Sequence, residues 1–160
     1  MYAIQNYTNT KCELEMAKTR LSLLIERRTK LYCKYFPVTS KLKEVESDHN
    51  NQNTDKMAQY MHELYSVVDV GTNMTLAEEI AYEQKNVNKL KGYMGKLDDI
   101  LSKMTGIEYE LFYEIVYNGT NITKAVEHIA EENDKEPQTI WKNYYRNIKK
   151  EIKKISKFKL

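Results

Sequence analysis

From Thr8 to Phe36 the apolar positions Leu14, Ala17, Leu21, Leu24, Leu31 and Tyr35 recur at alternating steps of three and four, broken once by Arg28. Such steps keep side chains on one stripe of a helix, so the spacing predicts a single long, coiled-coil-like helix. Pro37 ends it, because its ring drives Phe36 out of the helical region. The opening residues MYAIQNY either extend this helix or fray. Beyond it a short helical turn is expected at Lys41–Glu46, and SDHNNQNTD, which has no apolar residue, reads as a mobile surface connector.

Asp55 stands where it would cap a second helix, Lys56 to about Val68, with Met57, Tyr60, Met61, Leu64 and Val68 on one face. VVDVGTN breaks that helix. Thr75 and Glu78 have the spacing of a capping box, in which side chain and backbone exchange hydrogen bonds across a helix start. From there Leu76, Ile80, Glu83, Val87, Leu90, Met94, Leu97, Leu101 and Met104 keep a heptad rhythm. Glu83 interrupts this seam as Arg28 interrupts the first, and an antiparallel pairing would let the two charges meet. Gly92 and Gly95 each weaken a helix by ~1 kcal/mol, which predicts close helix contact or a bend at that point. Two seams in one chain either close on each other as an internal hairpin, the favoured reading, or recruit a partner such as a second copy.

Thr105–Gly106 closes the heptad helix, and the pattern places a domain boundary near residue 105, between a helical platform (1–105) and a smaller unit (106–160). In the smaller unit Ile107–Tyr117 reads as a short helix with Leu111, Phe112, Ile115 and Val116 inward. Asn118–Gly119 reverses the chain, since both residues tolerate positive φ. Thr123 is the expected N-cap of the next helix, whose inner stripe is Ala125, Val126, Ile129 and Ala130. Glu132–Lys135 supplies a turn, and Pro137 suits a first helical position, where its missing N–H is not needed. The last helix then buries Ile140, Tyr144 and Ile148, with Trp141 at the flank. The predicted fold class is all-α: a long helical hairpin or coiled-coil-like amino-terminal part, followed by a three-helix domain of helix-turn-helix type.

Composition agrees. Among 160 residues there are two prolines and five glycines, and 30% are charged, which suits one helical domain or a small domain with an extended helical segment. No run approaches the ~20 apolar residues of a crossing helix, and MYAIQNYTNTKCELEMAK lacks a basic start followed by an apolar block. The expected location is therefore the cytoplasm, with no membrane partner. Cys12 and Cys33 fall on the first predicted helix about 30 Å apart at 1.5 Å per residue, too far to bond to each other. Both are expected reduced and inert, and no cysteine or histidine spacing points to zinc or another cofactor. His49, His62 and His128 fall in a loop and on two separate helices, no glycine-rich phosphate loop is present, and no enzyme is expected.

Charge sharpens the picture. Residues 142–160 carry a net +7, so the rest of the chain carries −5 within the total of +2. Clustered lysine and arginine meet phosphate backbones, although a helix carboxy terminus also favours cations for its own sake. With Ile140, Tyr144 and Ile148 inward, the last helix shows Gln138, Thr139, Lys142, Asn143 and Arg146. Gln and Asn can grip adenine edges, Arg guanine, and Thr a thymine methyl. The first turns of a reading helix reach the bases, which assigns that role to Gln138, Thr139, Lys142 and Asn143 and leaves Arg146, Lys149 and Lys150 to phosphates. The rival reading is a protein-interaction module, an inhibitor or adaptor that binds a host or phage protein through its helical seams and the aromatic last helix.

The segment LFYEIVYNGTNITKAVEHIAEENDKEPQTIWKNYYRNIKKEI resembles the region-4-like helix-turn-helix of sigma factors, and among these the small phage transcriptional regulators of the ArpU/RinA type. Leu111, Tyr117, Asn118 and Gly119 stand as the helix and turn before the motif. Ile129, Ala130 and Glu131 match the core of its first helix, Ile140 fills the apolar position of the reading helix, and Lys149 and Lys150 form its closing basic pair. The likeness covers roughly residues 55–152. Glu136 and Pro137 depart from a serine-led helix start, and ITKAVEHIAEEND is longer and more acidic than the family form. The resemblance implies a sequence-specific transcriptional regulator of phage or prophage type that binds double-stranded DNA in a bacterial cytoplasm, with RNA polymerase as a second contact and a homodimer as one assembly.

Overall fold

A computed structural model of the chain describes residues 7–37 and 50–156. Its helices are α1 (Tyr7–Tyr35), α2 (Asn50–Tyr65), α3 (Leu76–Leu101), α4 (Ile107–Phe112), α5 (Ile122–Glu132), α6 (Pro137–Ile140) and α7 (Arg146–Ser156). A π-helical turn, Tyr113–Tyr117, continues α4, and a second, Trp141–Tyr145, joins α6 to α7. Among the described residues there is no strand, only one antiparallel bridge between Val68 and Thr75. The fold is all-α. Among the same residues no helix is long and apolar enough to cross a membrane.

The chain divides into two compact units, the described part of Met1–Met16 with Val87–Leu160, and Ala17–Asn86. The heptad rhythm places the boundary near residue 105, but the division falls after Met16 and after Asn86. The reason is packing: Tyr93 and Leu97 of α3 are buried in the same core as α4 and α5.

Within Ala17–Asn86, Arg20 Nε lies 2.9 Å from Glu83 Oε1, and Arg27 Nη1 lies 3.8 Å from Glu79 Oε2. Numbers rise along α1 as they fall along α3, so the two segments run antiparallel. The predicted meeting of Arg28 with Glu83 does not occur. Leu14 and Leu21 are buried, whereas Arg28, one heptad further, is exposed, and the register of the two segments gives Glu83 to Arg20 instead.

α2 starts at Asn50, so Asp55 lies inside the helix and does not cap it. NNQNTD contains neither glycine nor proline, and nothing in it forbids a helical backbone. The helical turn expected at Lys41–Glu46 lies outside the described residues, as does the first part of the predicted connector. Of the apolar face read from sequence, Leu64 is buried and Tyr60 half-buried, whereas Met57, Met61 and Val68 are exposed. α2 stops at Tyr65, and Asp69 then folds a tight turn, its Oδ1 accepting from the amides of Gly71 at 2.8 Å and Thr72 at 3.4 Å.

α3 begins with the predicted capping box. The Thr75 amide donates to Glu78 Oε2 at 2.8 Å, and the Glu78 amide donates to Thr75 Oγ1 at 3.3 Å. Gly92 and Gly95 mark neither a close contact nor a crowded crossing, since a Cβ built on either meets nothing within 4 Å.

The other unit is built on one core. Leu111 and Phe112 of α4, Ile115 and Val116 of the first π-turn, and Ala125, Val126, Ile129 and Ala130 of α5 are buried in it. Ile140, Ile148 and Ile152 close it from the last helices. Tyr7, the first described residue, stacks on Tyr117 at 4.1 Å, and the Thr8 hydroxyl donates to the Tyr117 carbonyl at 2.9 Å. Burial and then the 2.5 Å hydrogen bond to Asp98 push the Tyr117 phenol well above the ordinary tyrosine range.

Candidate nucleic-acid interface

The predicted site residues all lie on residues 137–156, a continuous composite helix whose orientation is fixed from two sides. The first anchor is the approach from α5. Gly106, at φ 58°, opens α4, and Gly119, at φ 70°, reverses the chain after the first π-turn; both angles favour glycine. Glu114 pins that reversal, accepting from Asn118 Nδ2 at 2.9 Å and from the Thr120 hydroxyl at 2.8 Å. α5 is capped by Asn121, whose side chain accepts from the Thr123 amide at 2.9 Å. Thr123 is therefore not the cap. Its amide is the donor that the cap satisfies, because the chain enters the helix two residues earlier than the apolar stripe indicates.

α5 ends in a Schellman turn. The Lys135 amide donates to the Ala130 carbonyl at 2.9 Å and the Asp134 amide to Glu131 at 3.3 Å, with Asp134 itself left-handed at φ 50°. Pro137 then takes the first position of α6 as predicted, and Glu136 occupies the N-cap without a side-chain capping bond. Around this turn Glu127, Glu131, Asp134 and Glu136 line a shallow cleft in which, among the described residues, Lys135 is the one cation. The amino-terminal end of the composite helix is thus acidic, and its positive charge starts at Lys142.

The second anchor is the π-turn. Positions four apart drift by about 40° per step around a helix of 3.6 residues per turn. The wider i→i+5 turn at Trp141–Tyr145 takes up part of that drift, so Ile140, Ile148 and Ile152 all stay on the buried side. The same correction aligns the opposite side. Gln138, Lys142, Arg146 and Lys150 share the four-residue step and are all exposed, forming one line down the outer surface.

The remaining predicted residues do not join that line. Thr139 is half-buried, and Asn143 lies on the flank that turns towards α4. Asn147, one turn after Asn143, donates its side-chain amide to Glu108 of α4 at 2.9 Å. Lys149 lies on the opposite flank with Trp141 and Tyr145, whose rings meet edge-to-face at 4.7 Å. Burial raises the Tyr145 phenol above its ordinary range, so the charge on this flank is that of Lys149. Sequence reasoning misses Asn147, although its four-residue spacing from Asn143 is visible, and it reads the acidity of ITKAVEHIAEEND and Glu136 without placing Glu127, Glu131, Asp134 and Glu136 around one cleft.

Compared with protein-family models, curated proteins and solved structures, the chain matches none.

Proposed function

We propose that this chain is a DNA-binding transcriptional regulator in which α5, the turn after it and the composite helix act as a helix-turn-helix. The observation that carries the reading is the outer line Gln138, Lys142, Arg146 and Lys150, exposed on a helix whose other side is locked into a core by Ile140, Ile148 and Ile152. A rigid helix with a polar-basic outer line is what a major groove admits. The acidic turn moves the contact along the helix: Lys142 and Arg146 become the central contacts, Gln138 reads a base edge at one end, and Lys150 meets phosphate at the other. Lys149 adds a phosphate contact from the flank. The resemblance to region-4-like phage regulators adds RNA polymerase as a second partner, and the reading is of a binding protein rather than an enzyme.

A second reading draws on a different observation. In the Ala17–Asn86 unit Met57, Met61, Tyr65, Val67 and Val68 are all exposed, an apolar set that suits a protein-interaction module.

A salt titration of duplex-DNA binding separates the two. The intact chain should bind with an affinity that falls steeply with salt. The triple variant Lys142→Ala, Arg146→Ala, Lys150→Ala should bind weakly, with its log–log salt slope flattened by about one for each phosphate that is no longer neutralised. Absence of binding at low salt, or an unchanged slope in the variant, would sink the DNA reading.

A further inference from the structure

Beside the composite helix, on the flank that carries Asn147, lies a cleft of about 440 Å³. Its walls come from the carboxy-terminal end of α3, from α4 and from α7, all within one compact unit. Ile100 and Met104, half-buried against the core, give it an apolar side. Lys103, just past the end of α3, and Lys150 of α7 bring ammonium groups to it from two different elements. Both lysines are exposed, and among the described residues neither has a hydrogen-bond or ion-pair partner.

The other charged groups of the cleft are engaged within the chain. Glu151 Oε1 accepts from Lys154 Nζ at 2.5 Å, so those two charges cancel. Glu108 Oε1 accepts from the Asn147 side-chain amide at 2.9 Å, a bond that ties α7 to α4 and so fixes the cleft beside the helix. Asn147 is neutral. Among the described residues, Glu108 is therefore the one carboxylate of the cleft without a cation, set against two lysines without an anion.

A major groove is about 12 Å wide, and a helix with its side chains is about 10–12 Å across. A helix seated in the groove thus has one phosphate strand along each flank. Lys149, on the flank with Trp141 and Tyr145, faces one strand, and the cleft lies on the other flank. The geometry points to this cleft as the seat of the second strand's backbone. Lys103 and Lys150 donate to its phosphate oxygens, and a deoxyribose lies against Ile100 and Met104. Glu108 opposes the contact by repelling phosphate. The inference rests on the DNA reading above and extends the interface beyond the helix-turn-helix, to the end of α3.

The test is a salt titration of duplex-DNA binding by the intact chain and by Lys103→Ala, Glu108→Gln and Lys89→Ala. Lys103→Ala should bind about three- to tenfold more weakly near 0.1 M salt, with its log–log slope flattened by about one. Glu108→Gln keeps an acceptor for Asn147 but loses the charge, and should bind about twofold or more tightly. Lys89→Ala removes the same charge as Lys103→Ala roughly 20 Å back along α3, beyond a Debye length, and should match the parent within about twofold. A helix end favours a cation for its own sake, but a lysine with only that role would leave the slope unchanged. A parent chain that does not bind duplex DNA at low salt overturns the DNA reading and this inference together. If the parent binds, this inference alone falls on any of three results: an unchanged slope in Lys103→Ala, an equal loss in Lys89→Ala, or no gain in Glu108→Gln.

Discussion

Glu83 is held by Arg20: a guanidinium nitrogen lies 2.9 Å from a carboxylate oxygen of a residue that is 8% exposed. Without Arg20 that carboxylate keeps the 3.4 Å contact from Asn86. The Arg20 side chain is itself 49% exposed, so solvent moderates the loss relative to a fully buried pair. Arg20→Ala should cost roughly 1–3 kcal/mol in denaturant unfolding, and Arg28→Ala, on the exposed face, less than about 0.5 kcal/mol. Equal losses for the two arginines would contradict the pairing.

The cap of α5 gives an equally direct comparison. Asn121→Ala removes the acceptor of the Thr123 amide and should lower stability by about 1 kcal/mol. Thr123→Ala leaves that bond intact and should change stability by less than about 0.5 kcal/mol. Thermal unfolding of the two variants decides which residue is the cap, and a larger loss for Thr123→Ala would reverse the assignment.

Gly92 and Gly95 lie inside α3 with open space where a side chain would start. Alanine at either position should stabilise the chain by about 1 kcal/mol, from helix propensity and a less flexible unfolded state. A loss of stability in either variant would reveal a close neighbour at that position.

The capping box at α3 makes part of the stability depend on pH. The Thr75 backbone amide, followed by its hydroxyl, holds the Glu78 carboxyl below its ordinary value of 4.5. The folded state therefore favours the ionised form. Its contribution is complete above the ordinary value and disappears as pH falls through the lowered one. Glu78→Gln retains an acceptor for the Thr75 amide but cannot titrate. Thermal midpoints measured from about pH 6 down to about pH 3 should fall less steeply in Glu78→Gln than in the parent chain. Parallel curves would show that Glu78 is not an acid-sensitive cap.

Most of the helices were legible because their signals are local. The Thr75–Glu78 spacing, Pro137 at a helix start and the stripe Ala125, Val126, Ile129 and Ala130 each depend on residues a turn or less apart. Partners and registers were not legible. The sequence offers Arg28, the charge that interrupts the first seam, as a mate for Glu83, and the register that brings Arg20 there instead is written in neither seam. The start of α2 was misplaced because Asn, Gln and Thr are weak signals that permit a helix without announcing it. In the candidate interface the residue types were readable, but the set that forms a line was not. Thr139 and Asn143 fall away from Gln138, Lys142, Arg146 and Lys150 according to a backbone detail that no side-chain pattern encodes.

That detail, the π-turn at Trp141–Tyr145, makes the winding of a single turn a determinant of surface. A wider turn of this kind holds one more residue than the α-helical turn it replaces, so the two ends of the composite helix are indexed against each other by a single residue. The same residues wound as an unbroken α-helix would rotate everything beyond this turn by about 100° relative to Ile140. Ile148 and Ile152 would leave the core, and the same lysines and arginine would point in another direction. Tightening this one turn can therefore re-aim the basic end without changing any of its amino acids.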